Sequence, residues 1–135
     1  MLGATRHRVP RAFVLEVVRA ALRHGGRPDA EVSVLLTDDA GIADLHGRFL
    51  GDPTPTDVMS FALDDGIDLV VSVPCARREA RRRGHRWRDE LALYLVHGVL
   101  HACGHDDHAT RARARMRRAE RAILATLALQ VARFP

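Results

Sequence analysis

From Trp87 to Cys103 the chain reads WRDELALYLVHGVLHAC. Placed on a helix, Leu91, Leu93, Tyr94, Leu95, Val96, Val99 and Leu100 nearly encircle it, leaving no broad face for water. Such a helix is stable only when the rest of the chain wraps it. In 135 residues this makes it the centre of one expected domain, residues 1–135. Hydrophobic residues are 47% of the chain but aromatics only 4%, so the core must be built from Val, Leu, Ile and Ala.

The flanking pattern supplies the wrapping. Residues 1–9 carry little periodicity, whereas Phe13, Val14, Val17, Val18, Ala21 and Leu22 recur at helical spacing. Pro10 suits the first turn of that helix and Gly25-Gly26 its stop. EVSVLL (Glu31–Leu36) predicts a strand. Thr37 is then the expected N-cap of a helix to about Phe49, with Asp38 and Asp39 in its first turn. The turn residues of Gly51–Pro55 predict a loop. DVMSFAL (Asp57–Leu63) and IDLVVSV (Ile67–Val73) predict two strands joined at Asp64-Asp65-Gly66. A polar helix from Pro74 to about Arg83 stops at Gly84, and the apolar helix stops at Gly104. A last helix from about Thr110 to Phe134 has Met116, Ile123, Leu127 and Val131 on one stripe. Without strict βαβ alternation, the fold class is α+β: a small mixed sheet packed with helices.

The formal charge is +4, and all 21 basic residues are arginine. A basic domain suits a polyanionic partner, though an Arg- and Ala-rich composition gives the same charge without one. Two cysteines make no disulfide framework. No signal-peptide pattern opens the chain and no apolar run approaches the roughly 20 residues of a membrane span, so a cytoplasmic protein with no membrane partner is expected.

Four of the eight histidines fall in HGVLHACGHDDH, His97 to His108. His97 and His101 lie four apart, about 40° in direction on a helix, so both imidazoles leave from one face as a metal-binding pair does. Gly98 removes bulk beside the first. Gly104 lets the chain reverse, making Asp106, Asp107 and His108 candidates for a third ligand. Two nitrogens and one further donor, with a position left open, is how catalytic zinc is held, and such an ion makes a nucleophile available from water at neutral pH. Zincins of the HExxH type carry glutamate where this chain has Gly98, which argues against a zinc peptidase. Glu90, two turns upstream, reads as a structural group. Cys103 adjoins the pair but faces away from His97, which suits a small core residue.

HGVLHACGHDD, preceded by DELALYLVHG and some forty residues earlier by PTDVMSF, resembles the YbeY family, metal-dependent bacterial endoribonucleases of ribosomal RNA maturation. The family patterns are HGxLHLxGYDH and PTDVLSF. Pro55, Thr56, Asp57, Val58, Ser60 and Phe61 match the second, with Met59 for leucine, and the likeness runs from about Leu35 to Asp107. The resemblance implies a zincin-like metal helix and one zinc ion per chain on His97, His101 and a third ligand. In the family register that ligand is Asp107, and the alternative is His108, one residue later. It also implies cleavage of single-stranded RNA, the 3′ end of small-subunit ribosomal RNA being the substrate, and a role in ribosome quality control. Ribosomal RNA and the small subunit are the implied partners, with no small-molecule organic cofactor.

Some positions depart from the pattern. His105 stands at the tyrosine position and Ala102 at a leucine. The family arginine six residues before the PTDV threonine is Leu50 here, so Arg48 is the substitute candidate for catalysis and phosphate contact. Arg81, Arg82 and Arg86, in a run with Arg83 and Arg88, are candidates for tracking an RNA backbone, although any of them also suits a solvated helix face. Asp57 is expected either to orient a ligand histidine or to cap the loop entering its strand. With one Trp and one Tyr, stacking of bases on exposed aromatics is not expected. Two other classes stay open: a ribosome-associated RNA-binding protein with a structural metal, and a zinc hydrolase of other substrates.

Overall fold

The computed structural model describes residues 9–52, 56–105, 108–129 and 131. Among the described residues, five helices and three strands follow one another as α1 (Arg11–His24), β1 (Glu31–Thr37), α2 (Asp39–Leu50), β2 (Val58–Ala62), β3 (Gly66–Ser72), α3 (Val73–Arg83), α4 (Trp87–Ala102) and α5 (Thr110–Thr126). The sheet order is β1-β3-β2, with β1 parallel and β2 antiparallel to β3. This is the α+β architecture with a mixed sheet that the sequence predicts.

The apolar helix α4 is at the centre. It packs against α1, α3, α5, β2 and β3, and Leu91, Leu95, Val96, Val99 and Leu100 are completely buried. The central strand shows the two-residue period expected of a strand covered on both faces. Ile67, Leu69 and Val71 join the α4 core, while Val70 turns to the other face and packs with Ile42 of α2 and Met59 of β2. No helix among the described residues is long and apolar enough to cross a membrane.

Four local expectations are corrected. Thr37 is not the N-cap of α2, because its backbone is still in the β1 ladder opposite Ser72; Asp38 caps instead, its Oδ1 accepting from Gly41 N at 2.8 Å. The helix expected from Pro74 starts at Val73, capped by Ser72 Oγ, which accepts from Cys75 N. Gly66 does not sit in the turn but in β3, where a Cβ would come within 2.6 Å of the Glu31 carbonyl oxygen. Glycine there permits the close approach of β1. Finally, α5 ends at Thr126 rather than Phe134. Ala128 takes φ 56° and Leu129 N donates to Leu124 O, a left-handed helix stop built on alanine. Val131 therefore lies outside the helix.

Candidate active site

The sheet and α4 meet at a pocket of about 330 Å³ lined by His46 and Leu50 of α2, Thr56 to Phe61 and, from α4, His97, Gly98 and His101. The imidazoles of His97 and His101 stand side by side with ring centroids 6.1 Å apart, as their four-residue spacing dictates. Gly98 lets the helix lie flat on the sheet here. A Cβ at this position would come within 2.8 Å of Leu69 Cδ2 and 3.2 Å of Val58 Cγ2. Ser60 Oγ donates to the Gly98 carbonyl at 2.7 Å and fastens β2 to the helix between the two histidines. After Ala102, Gly104 takes φ 103° and His105 N donates to Leu100 O, which turns the chain sharply just beyond His101.

His97 also has a partner behind it. Glu120 of α5, fully buried, places Oε2 2.8 Å from His97 Nδ1, and its Oε1 accepts from Arg117 Nη1 at 2.7 Å. His97 thus forms part of the wall between the front pocket and a rear cavity of about 240 Å³ that Arg117 and Glu120 line.

The donor set suits zinc: two imidazoles on one helix face, one of them hydrogen-bonded through a ring nitrogen to a carboxylate. Among the described residues no group of three His, Cys, Asp or Glu side chains is close enough to hold an ion. Asp106 and Asp107 lie outside the described residues. His108 is exposed and does not line the pocket. Cys103 packs into the core beside Gly25, and burial pushes its thiol up, away from the thiolate a metal needs.

Other candidates fall elsewhere. Arg48 points away, ion-paired to Asp44 at 3.2 Å, because it is about 200° around α2 from Leu50, which does line the pocket. His46, four residues before Leu50, shares its face and is the polar side chain α2 brings in. Asp57 lines the pocket, and its Oδ1 caps the strand by accepting from Val58 N at 2.7 Å; the carboxylate on His97 is that of Glu120. Arg81 is exposed, Arg82 pairs with Glu79 and Arg86 with Asp89. Arg86 precedes His97 by 11 residues along α4, about 16 Å, so this arginine run is at the opposite end of the helix from the pocket. There Glu90, fully buried, pairs with Arg83 at 2.7 Å and with His85, a structural network rather than part of the site.

The family model described as Endoribonuclease YbeY matches residues 5–128. The chain belongs to the YbeY endoribonuclease family. It therefore stands among nucleases, hydrolases of the phosphodiester backbone. A relative named endoribonuclease YbeY from Thermobifida fusca is 39% identical over 108 residues, covering 70% of this chain and 66% of that protein, just under two thirds of its length. Those from Moorella thermoacetica (38% identical, 82% of this chain and 81% of the relative) and Desulforamulus reducens (36%, 87% and 86%) match over longer stretches. The solution structure of a Thermotoga maritima protein superposes with a TM-score of 0.65, covering 90% of this chain and 88% of that one, at 20% identity; that likeness concerns the fold.

Proposed function

We propose that this YbeY-family chain is a metal-dependent endoribonuclease specific for single-stranded RNA, acting in maturation of the 3′ end of small-subunit ribosomal RNA and in ribosome quality control in the cytoplasm. The observation that carries the reading is the paired His97 and His101 imidazoles in an open pocket, the first backed by a buried carboxylate. One zinc ion per chain is assigned to these two residues and to Asp107. Register with the family favours Asp107, and the exposure of His108 away from the pocket supports the same choice. When bound, the ion supplies Lewis acidity toward both the phosphodiester and water.

The chain's own residues then do four things. Ser60 and Gly98 lock β2 to α4, so the two imidazoles keep their separation while RNA enters. Leu50, Val58, Met59 and Phe61 give the pocket an apolar wall beside which the reacting phosphate sits. His46, from α2, is assigned to pass a proton to the leaving ribose oxygen. Arg48, two residues before Leu50, and Arg81 and Arg82 of the last turn of α3 with Arg86 at the start of α4, are assigned to backbone phosphates away from the scissile one.

The test is cleavage of an end-labelled single-stranded fragment of small-subunit ribosomal RNA. Wild-type protein should cut it, lose the activity in chelator and regain it with zinc, while His101→Ala stays inactive. Cutting that survives chelation, or survives in His101→Ala, overturns the proposal. Salt-sensitive RNA binding without any cutting would instead favour the binding-protein alternative.

A further inference from the structure

Two fully buried glutamates, one toward each end of α4, are each held between an arginine and a histidine, and Glu90 also meets the Tyr94 hydroxyl. At the N-terminal end, Glu90 is fully buried between Arg83 and His85. Toward the C-terminal end, Glu120 is fully buried between Arg117 and His97. They differ in where the histidine faces. The His85 side chain is 5% exposed, so its network is closed on itself, whereas His97 is 24% exposed and lines the pocket it shares with His101. Burying a carboxylate is costly unless both oxygens find partners, and in each case an arginine satisfies one oxygen and a histidine the other. A closed network needs no further purpose than packing. The open one places a fixed acceptor directly behind a ring whose other nitrogen is on the opposite edge.

We propose that Glu120 is the positioning residue of the site: by accepting from His97 Nδ1–H it holds the ring in the tautomer and orientation that present Nε2 to an ion in the pocket. The inference rests on the reading of His97 as a metal ligand. Its physical content is twofold. The hydrogen bond fixes the proton on Nδ1, so Nε2 keeps its lone pair, and the carboxylate raises the ring's strength as a donor. Arg117 keeps Glu120 itself from turning, since Oε1 is held at 2.7 Å on the same helix, one turn away. The imidazole is thereby pinned from behind before any ion arrives.

The experiment measures zinc affinity by competition with a chromophoric chelator for wild type, Glu120→Gln, Glu120→Ala and Glu90→Gln, with urea unfolding of each metal-free protein alongside. Loss of an outer partner of this kind costs about 10–100-fold in metal affinity. Glu120→Ala is expected near the upper end. Glu120→Gln, whose amide oxygen still accepts, should fall near the lower end and thus rescue part of the loss. Glu90→Gln removes the matching structural charge and should destabilise the fold while leaving zinc affinity within about twofold of wild type, because it is some 10 Å or more along α4 from His97. A second readout is the nitrogen NMR shifts of His97 in the metal-free protein: Nδ1-protonated in wild type, a mixture of tautomers in Glu120→Ala. If Glu120→Ala is too unstable to study, Glu120→Gln decides. Wild-type affinity in the Glu120 variants, or equal losses in Glu120→Gln and Glu90→Gln, overturns the inference. A wild type that binds no zinc overturns the ligand reading beneath it.

Discussion

The position that couples the fold to the site most tightly is Gly98. Replacing it with alanine puts a Cβ 2.8 Å from Leu69 Cδ2 and 3.2 Å from Val58 Cγ2, in a region where Leu69 is almost completely buried. Overpacking of this sort costs about 1–3 kcal/mol, while alanine in mid-helix is favoured over glycine by about 1 kcal/mol. The two oppose each other, so Gly98→Ala should be destabilised by roughly 1 kcal/mol net. The clash has one main partner, which makes it testable by a cycle. Leu69→Ala alone should cost about 2–5 kcal/mol as a core truncation. On the Leu69→Ala background the obstructing methyl is gone, so adding Gly98→Ala should now stabilise by about 1 kcal/mol. The coupling energy is therefore about 2 kcal/mol in the compensating direction, inside the range measured for residues in contact. Urea unfolding of the four proteins reads it directly. If Gly98→Ala has the same sign on both backgrounds, with coupling below about 0.5 kcal/mol, Gly98 is not there to admit Leu69 and the packing argument is wrong.

Three other perturbations follow from the same geometry. Glu90→Ala leaves Arg83 and His85 buried beside an emptied partner, and should lose about 3–5 kcal/mol in urea unfolding; a loss below 1 kcal/mol would show the network to be dispensable. Asp39 has its carboxyl held below the usual range by hydrogen bonds from Arg78 at 2.6 and 3.2 Å. A depressed folded pKa stabilises above the unfolded carboxylate value and the gain fades as pH falls through the folded one, so wild type should lose more stability than Asp39→Asn between about pH 5 and pH 2. Identical acid profiles would contradict the pairing. His46→Ala should lower the cleavage rate at saturating RNA while zinc stoichiometry stays unchanged; a rate equal to wild type would remove His46 from proton transfer.

Much of this was readable from the chain because the decisive spacings are local. The four-residue step between His97 and His101, the helix stop at Gly104 and the alternating pattern of Ile67, Leu69 and Val71 are each set within one element. Glu120 reaches His97 across 23 residues of sequence, through the packing of α5 on α4, and no local period encodes that contact. A signal was nevertheless present, since Glu120 interrupts the apolar stripe of Met116, Ile123 and Leu127 and a charge on a buried stripe needs a partner. His46 was hidden for a similar reason: proximity in sequence favoured Arg48, whereas helical direction puts His46, not Arg48, on the face of Leu50. The end of α5 is not legible in the sequence because Ala128 adopts the left-handed conformation that glycine usually signals. Packing of Leu129 against the core accompanies that stop.

The central claim is that the α4 histidine pair is the heart of a metal site. Elemental analysis of protein purified without chelator and resupplied with zinc tests it most directly, with wild type beside His101→Ala. One ion per chain in wild type and none in folded His101→Ala is the predicted result. A wild type without bound metal, or a His101→Ala protein that keeps its full complement, would contradict it.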